Sequence, residues 1–321
     1  TINDDITVIP QSFFEDARNI QQVVLPSSLR MIEQKAFKDC QNLQTINFPQ
    51  ATRAILNEAF MNCFSLDEIV LPRDLEIIGD SAFSGSFAGE MTLSSIDFSS
   101  AHNLKTVGSY AFAFNYVLQT IELPSSLEFI GDFAFRYCLE LTQFHLPNSD
   151  LEVGFGILDG CLSMEDISII LNNSYGTSPY HLGYYFGYYD YDSHWGLPDS
   201  LTNVEVLPGL TAVPDYAFYR AHKLKSITFS EGLTHIGKFA FAGWYGIEMA
   251  LTDIIIPDAN IEFIGEYAFN ICSDIEVLNI GSGVEVVEDY AFQGCQSLKE
   301  VHIPNAEIVG RAIFKECLSL E

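Results

Sequence analysis

Apolar positions along this chain alternate in short bursts, and the bursts recur in one frame. Stretches such as SLDEIVLPRDLEIIGDSAF and LQTIELPSSLEFIGDFAFRYC share the pattern LxxIxLPxxLxxIGxxAFxxC. In IxL the apolar residues sit two apart, the period of a strand with one buried face. The Pro after it (Pro26, Pro49, Pro72, Pro124, Pro147, Pro257, Pro304) lacks a donor N–H and ends the strand. The next LxxI reads as a second short extended segment. GxxAFxxC reads as one or two turns of α- or 3-10 helix, with Ala and Cys four apart on one face. Glu33, Leu56, Pro214 and Glu288 stand where other copies have Gly. A site that accepts Pro does not demand positive φ, so Gly there reads as a preference.

The Phe of this frame falls at Phe14, Phe37, Phe60, Phe83, Phe112, Phe135, Leu158, Phe218, Phe241, Phe269, Phe292 and Phe314. Most gaps are 23 residues; those ending at Phe112, Phe218 and Phe269 are 29, 60 and 28. A fixed period of this size predicts a stack of repeats, each burying its core against its neighbours. The motifs resemble the BspA-like subclass of leucine-rich repeats. That resemblance implies an α/β leucine-rich-repeat solenoid, a right-handed horseshoe with a parallel concave β-sheet and short helical or 3-10 convex segments. It also implies a non-catalytic module of a secreted or surface-displayed bacterial protein, some relatives of which look like adhesins. It carries over no fixed binding residues.

The expected organisation is repeats over 1–171, an aromatic-rich insertion over 172–199 and repeats over 200–321. The insertion holds Tyr175, Tyr180, Tyr184, Tyr185, Tyr188, Tyr189 and Tyr191, with Phe186 and Trp195. Its HLGYYFG resembles an insert seen in the family. Rigid aromatics suit protein or sugar recognition; the competing reading is that they cover the flank where the repeat is broken. Tyr184, Tyr185, Tyr188, Tyr189, Tyr191 and Trp195 are the candidate binding residues here. The coils after Phe83 and Phe241 share a four-residue lengthening, read as a longer convex turn.

Charge narrows the function classes. Net −28, from 43 acids against 15 bases, leaves no basic cluster to displace counterions from nucleic acid. The same sign disfavours anionic lipid surfaces, and no apolar run reaches the length of a membrane span. With Thr1 first and Glu321 inside a motif, the expectation is a piece of a longer extracellular or surface protein.

Catalytic chemistry finds little support. The seven Cys (Cys40, Cys63, Cys138, Cys161, Cys272, Cys295, Cys317) all lie three residues after the Phe position, where other copies carry Ala, Ser, Asn or Trp. They read as buried free thiols, since parallel Cβ vectors one coil apart disfavour disulfide geometry. No Cys/His cluster has zinc spacing, and Asp190 and Asp192 read as a solvated loop rather than a calcium site. No cofactor, metal or catalytic residue is expected.

The residues flanking the central Ile of each IxL point away from the core. Among 24 such positions four acids precede the Ile (Glu68, Asp166, Asp253, Glu300) and three follow it (Asp97, Glu122, Glu205), with His145 and His302 and no Lys or Arg. Glu68, Asp97, Glu122, His145, Asp166, Glu205, Asp253 and Glu300 are the candidate concave binding residues. The expected partner is a protein, such as a host extracellular or surface protein, with carbohydrate as an option at the aromatic insertion. The alternatives are a spacer displaying another domain and a self-assembling surface protein.

Overall fold

The computed structural model describes all residues except 1–4, 87–92, 173–176, 178, 191–196, 245, 248 and 258–259. The chain divides into two compact units. One comprises Thr1–Met164 with Tyr185–Gly187; the other comprises Glu165–Tyr184 with Tyr188–Glu321.

In the first unit each repeat makes one coil with two short strands. The IxL segments pair in parallel, Gln22–Val24 with Thr45–Asn47 and Glu68–Val70 with Ser95–Asp97, and Glu122 bridges to His145. The second segment of each coil builds a longer parallel sheet, running through Val8–Ile9, Met31–Ile32, Ala54–Ile55, Ile77–Ile78, Thr106–Val107, Phe129–Ile130 and Glu152–Val153. The second unit repeats the plan. Asp166–Ile169, Asn203–Val206, Ser226–Phe229 and Asp253–Ile255 pair in order, and Val277–Leu278 pairs with Glu300–Val301. A second sheet runs from Ala212–Val213 through His235–Ile236, Phe263–Ile264 and Val286–Val287 to Ile308–Val309.

The AF dipeptides form the core of each unit. Phe14, Phe37, Phe60, Phe83, Phe112 and Phe135 stack with centroids 5.0–5.5 Å apart, as do Phe218, Phe241, Phe269, Phe292 and Phe314 at 5.1–5.5 Å. Every Phe between the stack ends is fully buried. Beside the spine runs a ladder of thiols. Each Cys S–H donates to the carbonyl of the previous coil's Phe or its equivalent, as Cys63 does to Phe37 at 3.2 Å and Cys317 to Phe292 at 3.0 Å. Asn115 fills the same slot with its amide, donating to Phe83. All seven Cys are free thiols; six are buried and Cys317 is half-buried.

The convex helices expected from the sequence are replaced by turns. Among the described residues the one regular helix is the 3-10 segment Leu182–Phe186. The cause is a left-handed residue two before the Phe position in all twelve copies, among them Lys35, Glu58, Tyr110 and Tyr267. A second lies two after it in ten copies, among them Asp39, Tyr137 and Ile271. A helix needs consecutive right-handed residues, and two left-handed ones four apart forbid it. What offsets the strain is hydrogen bonding along the stack. The N–H groups of Lys35, Phe37 and Asp39 donate to the carbonyls of Asn57, Ala59 and Met61 on the next coil, at 3.0, 2.8 and 2.8 Å. The copies lacking the second left-handed residue have Gly85 and Gly243 there, and both belong to the lengthened coils.

Where Gly does stand four before the Phe, it has a steric role. Its φ is not the reason, as expected, but a Cβ on Gly131 would lie 2.4 Å from the Ser109 backbone nitrogen, and one on Gly79 2.6 Å from that of Asn57. The crowding comes from an adjoining ladder in which an Asp or Asn caps a backbone N–H of the next coil. Asp80 accepts from Ser109, Asp132 from Phe155 and Asp289 from Arg311, at 2.7–2.8 Å.

Candidate functional site

The first-sheet face is set by strand period, and the structure keeps the outward register read from the sequence. Glu68 pairs with Ser95, Val70 with Asp97 and Glu122 with His145. Glu68, Glu122 and His145 are exposed and Asp97 is half-buried. Asp97 and Glu122 line one hollow of about 390 Å³, together with His102, Thr120 and Ser125. The Ser99 hydroxyl and its N–H, the latter 2.8 Å from Asp97 Oδ1, hold the Asp97 carboxyl below its ordinary value, so it stays charged at neutral pH. Val24 and Val70 lie bare on this face, Val70 55% exposed.

The second unit shows the same mixture. Asp166 aligns with Asn203, Ser226 and Asp253, and Ser168 with Glu205, Thr228 and Ile255. Glu205, Asp253 and Glu300 are exposed and Asp166 is half-buried, while Ile255 and Val277 (63% exposed) are the bare aliphatics. Ser168 departs from the expected register exposure: it is buried, so the face is covered at that point.

The aromatic insertion resolves into buried and exposed parts. Leu158 N–H donates to the Tyr185 carbonyl at 2.8 Å, the step that Phe135 makes to Ile157, and Leu182 N–H donates to Ala217 at 2.8 Å. The Leu182–Phe186 turn is thus hydrogen-bonded like the turn of a coil. His181, Leu182, Tyr185 and Phe186 are buried. Tyr185 is therefore a core residue, and its place among the candidate binding residues is corrected: the ring fills space that the ladder creates. Tyr184 and Tyr188 are half-buried and Tyr189 is 78% exposed. Tyr191 and Trp195 lie outside the described residues.

The comparisons with known proteins agree with this architecture. The BspA type leucine-rich repeat region matches in six copies, over residues 1–96, 84–178 and 197–321. The chain belongs to the BspA-type leucine-rich-repeat family. Among solved structures, a leucine-rich repeat protein from Bacteroides ovatus aligns over 99% of this chain and 82% of its own, with 22% identity and a TM-score of 0.52. A leucine rich cell surface protein from Faecalibacterium prausnitzii aligns over 98% and 82% of the two chains, with 19% identity and a TM-score of 0.41. The pneumococcal vaccine antigen PcpA aligns over 75% and 68%, with 19% identity and a TM-score of 0.36. Comparison with curated proteins gave no match.

BspA-type repeats are typical of surface-displayed or secreted bacterial proteins and are generally non-catalytic. Among the described residues no helix is long and apolar enough to cross a membrane, and no three His, Cys, Asp or Glu are grouped to hold a metal.

The register-based acids were found from the sequence because a period of two is unambiguous beside a Pro stop. The half-exposed rings on the turn side of the second unit (Tyr216, Phe239, Tyr267, Tyr290) were missed. Their signal was present, an aromatic two before each Phe, but a helix reading gave that position no special direction.

Proposed function

We propose that this chain is a non-catalytic recognition module of a bacterial surface or secreted protein, adhesin-like, that docks a protein partner on the first-sheet face. The observation that carries the reading is the composition of that face. In the first unit Glu68, Asp97 and Glu122 accompany bare Val24 and Val70, and in the second Glu205, Asp253 and Glu300 accompany bare Ile255 and Val277. None of the 24 positions flanking the central strand residues holds a Lys or Arg. Apolar centres within a charged surround are the anatomy of protein interfaces. A net charge of −28 adds a field that steers in partners basic where they touch. Tyr189, with the half-buried Tyr184 and Tyr188, is a secondary contact in this reading.

The test is surface plasmon resonance of the whole chain against a panel of host extracellular-matrix proteins at two salt concentrations. The expected result is a partner whose on-rate falls as salt screens charges over about 8 Å. The triple variant Glu68→Gln, Asp97→Asn, Glu122→Gln should bind it at least about tenfold more weakly. Binding unchanged in that variant and in Glu205→Gln, Asp253→Asn, Glu300→Gln would leave the face without a role, and the chain would then act as a spacer.

A further inference from the structure

The turn side of the second unit carries a cleft that the sheet-face reading does not use. It begins from backbone geometry: the left-handed residue two before each Phe turns its side chain out of the core, and here four successive coils place an aromatic there. Tyr216, Phe239, Tyr267 and Tyr290 stack at 5.2, 4.8 and 4.9 Å with interplanar angles of 8–11°. Each ring is half-buried. Trp244, at the lengthened coil, stands in the slot that Cys fills elsewhere. A short antiparallel bridge to Ile247, closed through Gly246 at φ 78°, carries it. The indole is 44% exposed, and the Arg220 guanidinium sits 4.4 Å from its ring centre, which restricts its motion.

Between these features lies a cavity of about 520 Å³ lined by Phe239, Trp244, Tyr267 and Tyr290. That volume belongs to the range of small-ligand sites. Three amides, Asn270, Gln293 and Gln296, also line it, and their side chains make no hydrogen bond to the described residues. Among the described lining residues the charged pair is Lys315 and Glu316, which lie 3.7 Å apart and offset each other.

We propose that this cleft binds a neutral oligosaccharide. A sugar ring presents apolar C–H patches beside hydroxyls that both donate and accept. Phe239 and Tyr267 are stacked on both faces, so the rings that complement the C–H patches are Tyr290, at the end of this stack, and the exposed Trp244 indole, both rigid and of little entropic cost. Primary amides, with two donors and an acceptor each, complement the hydroxyls. Among the described residues beside the cleft, Lys238 is bonded to Glu266 and Arg220 lies against aromatic rings, which disfavours an anionic ligand. The inference is independent of the sheet face, and so is its test.

Whole chain is titrated with maltotetraose, cellotetraose, mannotetraose and N-acetylchitotetraose, with a heparin-derived tetrasaccharide as the anionic comparison. Tryptophan fluorescence and saturation-transfer NMR read binding. At least one neutral sugar should give a saturable response. Trp244→Ala, and separately the pair Gln293→Ala with Gln296→Ala, should each weaken it about tenfold or more. The variant Glu68→Gln, Asp97→Asn, Glu122→Gln should bind it unchanged. Should Trp244→Ala fail to fold by circular dichroism, the amide pair decides, because those side chains make no hydrogen bond to the described residues. No saturable response to any neutral sugar, a response to the heparin fragment alone, or full affinity in both cleft variants overturns the proposal.

Discussion

The turn sides of the two units start from the same backbone and end as different surfaces. In the first unit four successive coils carry polar residues at the left-handed position before the Phe, Ser12, Lys35, Glu58 and Ser81, and the aromatics there are limited to one stacked pair, Tyr110 with Phe133 at 5.1 Å. Lys38 and Lys35 close on Glu58 there, at 2.5 and 3.7 Å. In the second unit the same position holds Tyr216, Phe239, Tyr267 and Tyr290, and the result is a half-exposed aromatic ladder. The Phe spine beneath is alike in both. The fold therefore demands the left-handed backbone and the buried ring, and leaves the outward side chain to other purposes.

The largest effect should come from the part the two units share. Phe60→Ala and Phe241→Ala each remove a fully buried ring stacked on both neighbours, and each should cost about 3–5 kcal/mol by urea unfolding. A much smaller loss in either unit would show that the spine does not serve both alike.

Next comes the backbone approach between coils. Gly131→Ala would place a Cβ against the Ser109 backbone, and about 1–3 kcal/mol should be lost. A neutral outcome would mean that the neighbouring coil accommodates a Cβ here, as the copies carrying Leu56 and Pro214 do.

The thiol ladder sharpens the comparison through pH. Burial pushes the Cys40 thiol up to about 11 and raises Cys63, Cys138 and Cys272; Cys295 is raised by its hydrogen bond with Cys317 and by burial. A folded value above the unfolded one keeps the proton on in the folded chain while the unfolded chain loses it. Stability should then fall as pH rises past the unfolded value near 9, by about 0.8 kcal/mol per such thiol at pH 9.5. Denaturation midpoints at pH 7 and 9.5 test this; equal midpoints would sink it. Cys317, lowered by its hydrogen bond with Cys295 and half-buried, should be the first alkylated in the native state.

The smallest effects separate the two surfaces themselves. Tyr267→Ala, which interrupts the aromatic ladder, should cost about 1 kcal/mol beyond the area it exposes. Ser81→Ala, at the equivalent first-unit position, should change stability by less than about 0.5 kcal/mol. Equal costs would mean that the second-unit ladder adds nothing to stability; a cost near that of Phe241→Ala would make it as structural as the spine.

Period and alternation made much of this molecule legible before its structure. The 23-residue spacing placed the Phe spine and the free thiols, and the IxL register placed Glu68, Glu122 and Asp253 on an outward face. Both follow from local rules: a period of two chooses a face, and a repeat that cannot bury its own core must stack. The turns were not legible. A tripeptide such as Lys35–Ala36–Phe37 has helical propensity, and only the carbonyls of the next coil, 22 residues on, make the left-handed alternative worth its strain. The same holds for Tyr185, whose burial depends on Leu158 needing a partner across the broken repeat, and for Gly131, whose hydrogen answers to Ser109. Local sequence determined which residues enter the core and which strands form. Contacts between coils, which supply hydrogen-bond partners and steric limits that no single repeat contains, decided the path of the turns and therefore which aromatics stand in solvent.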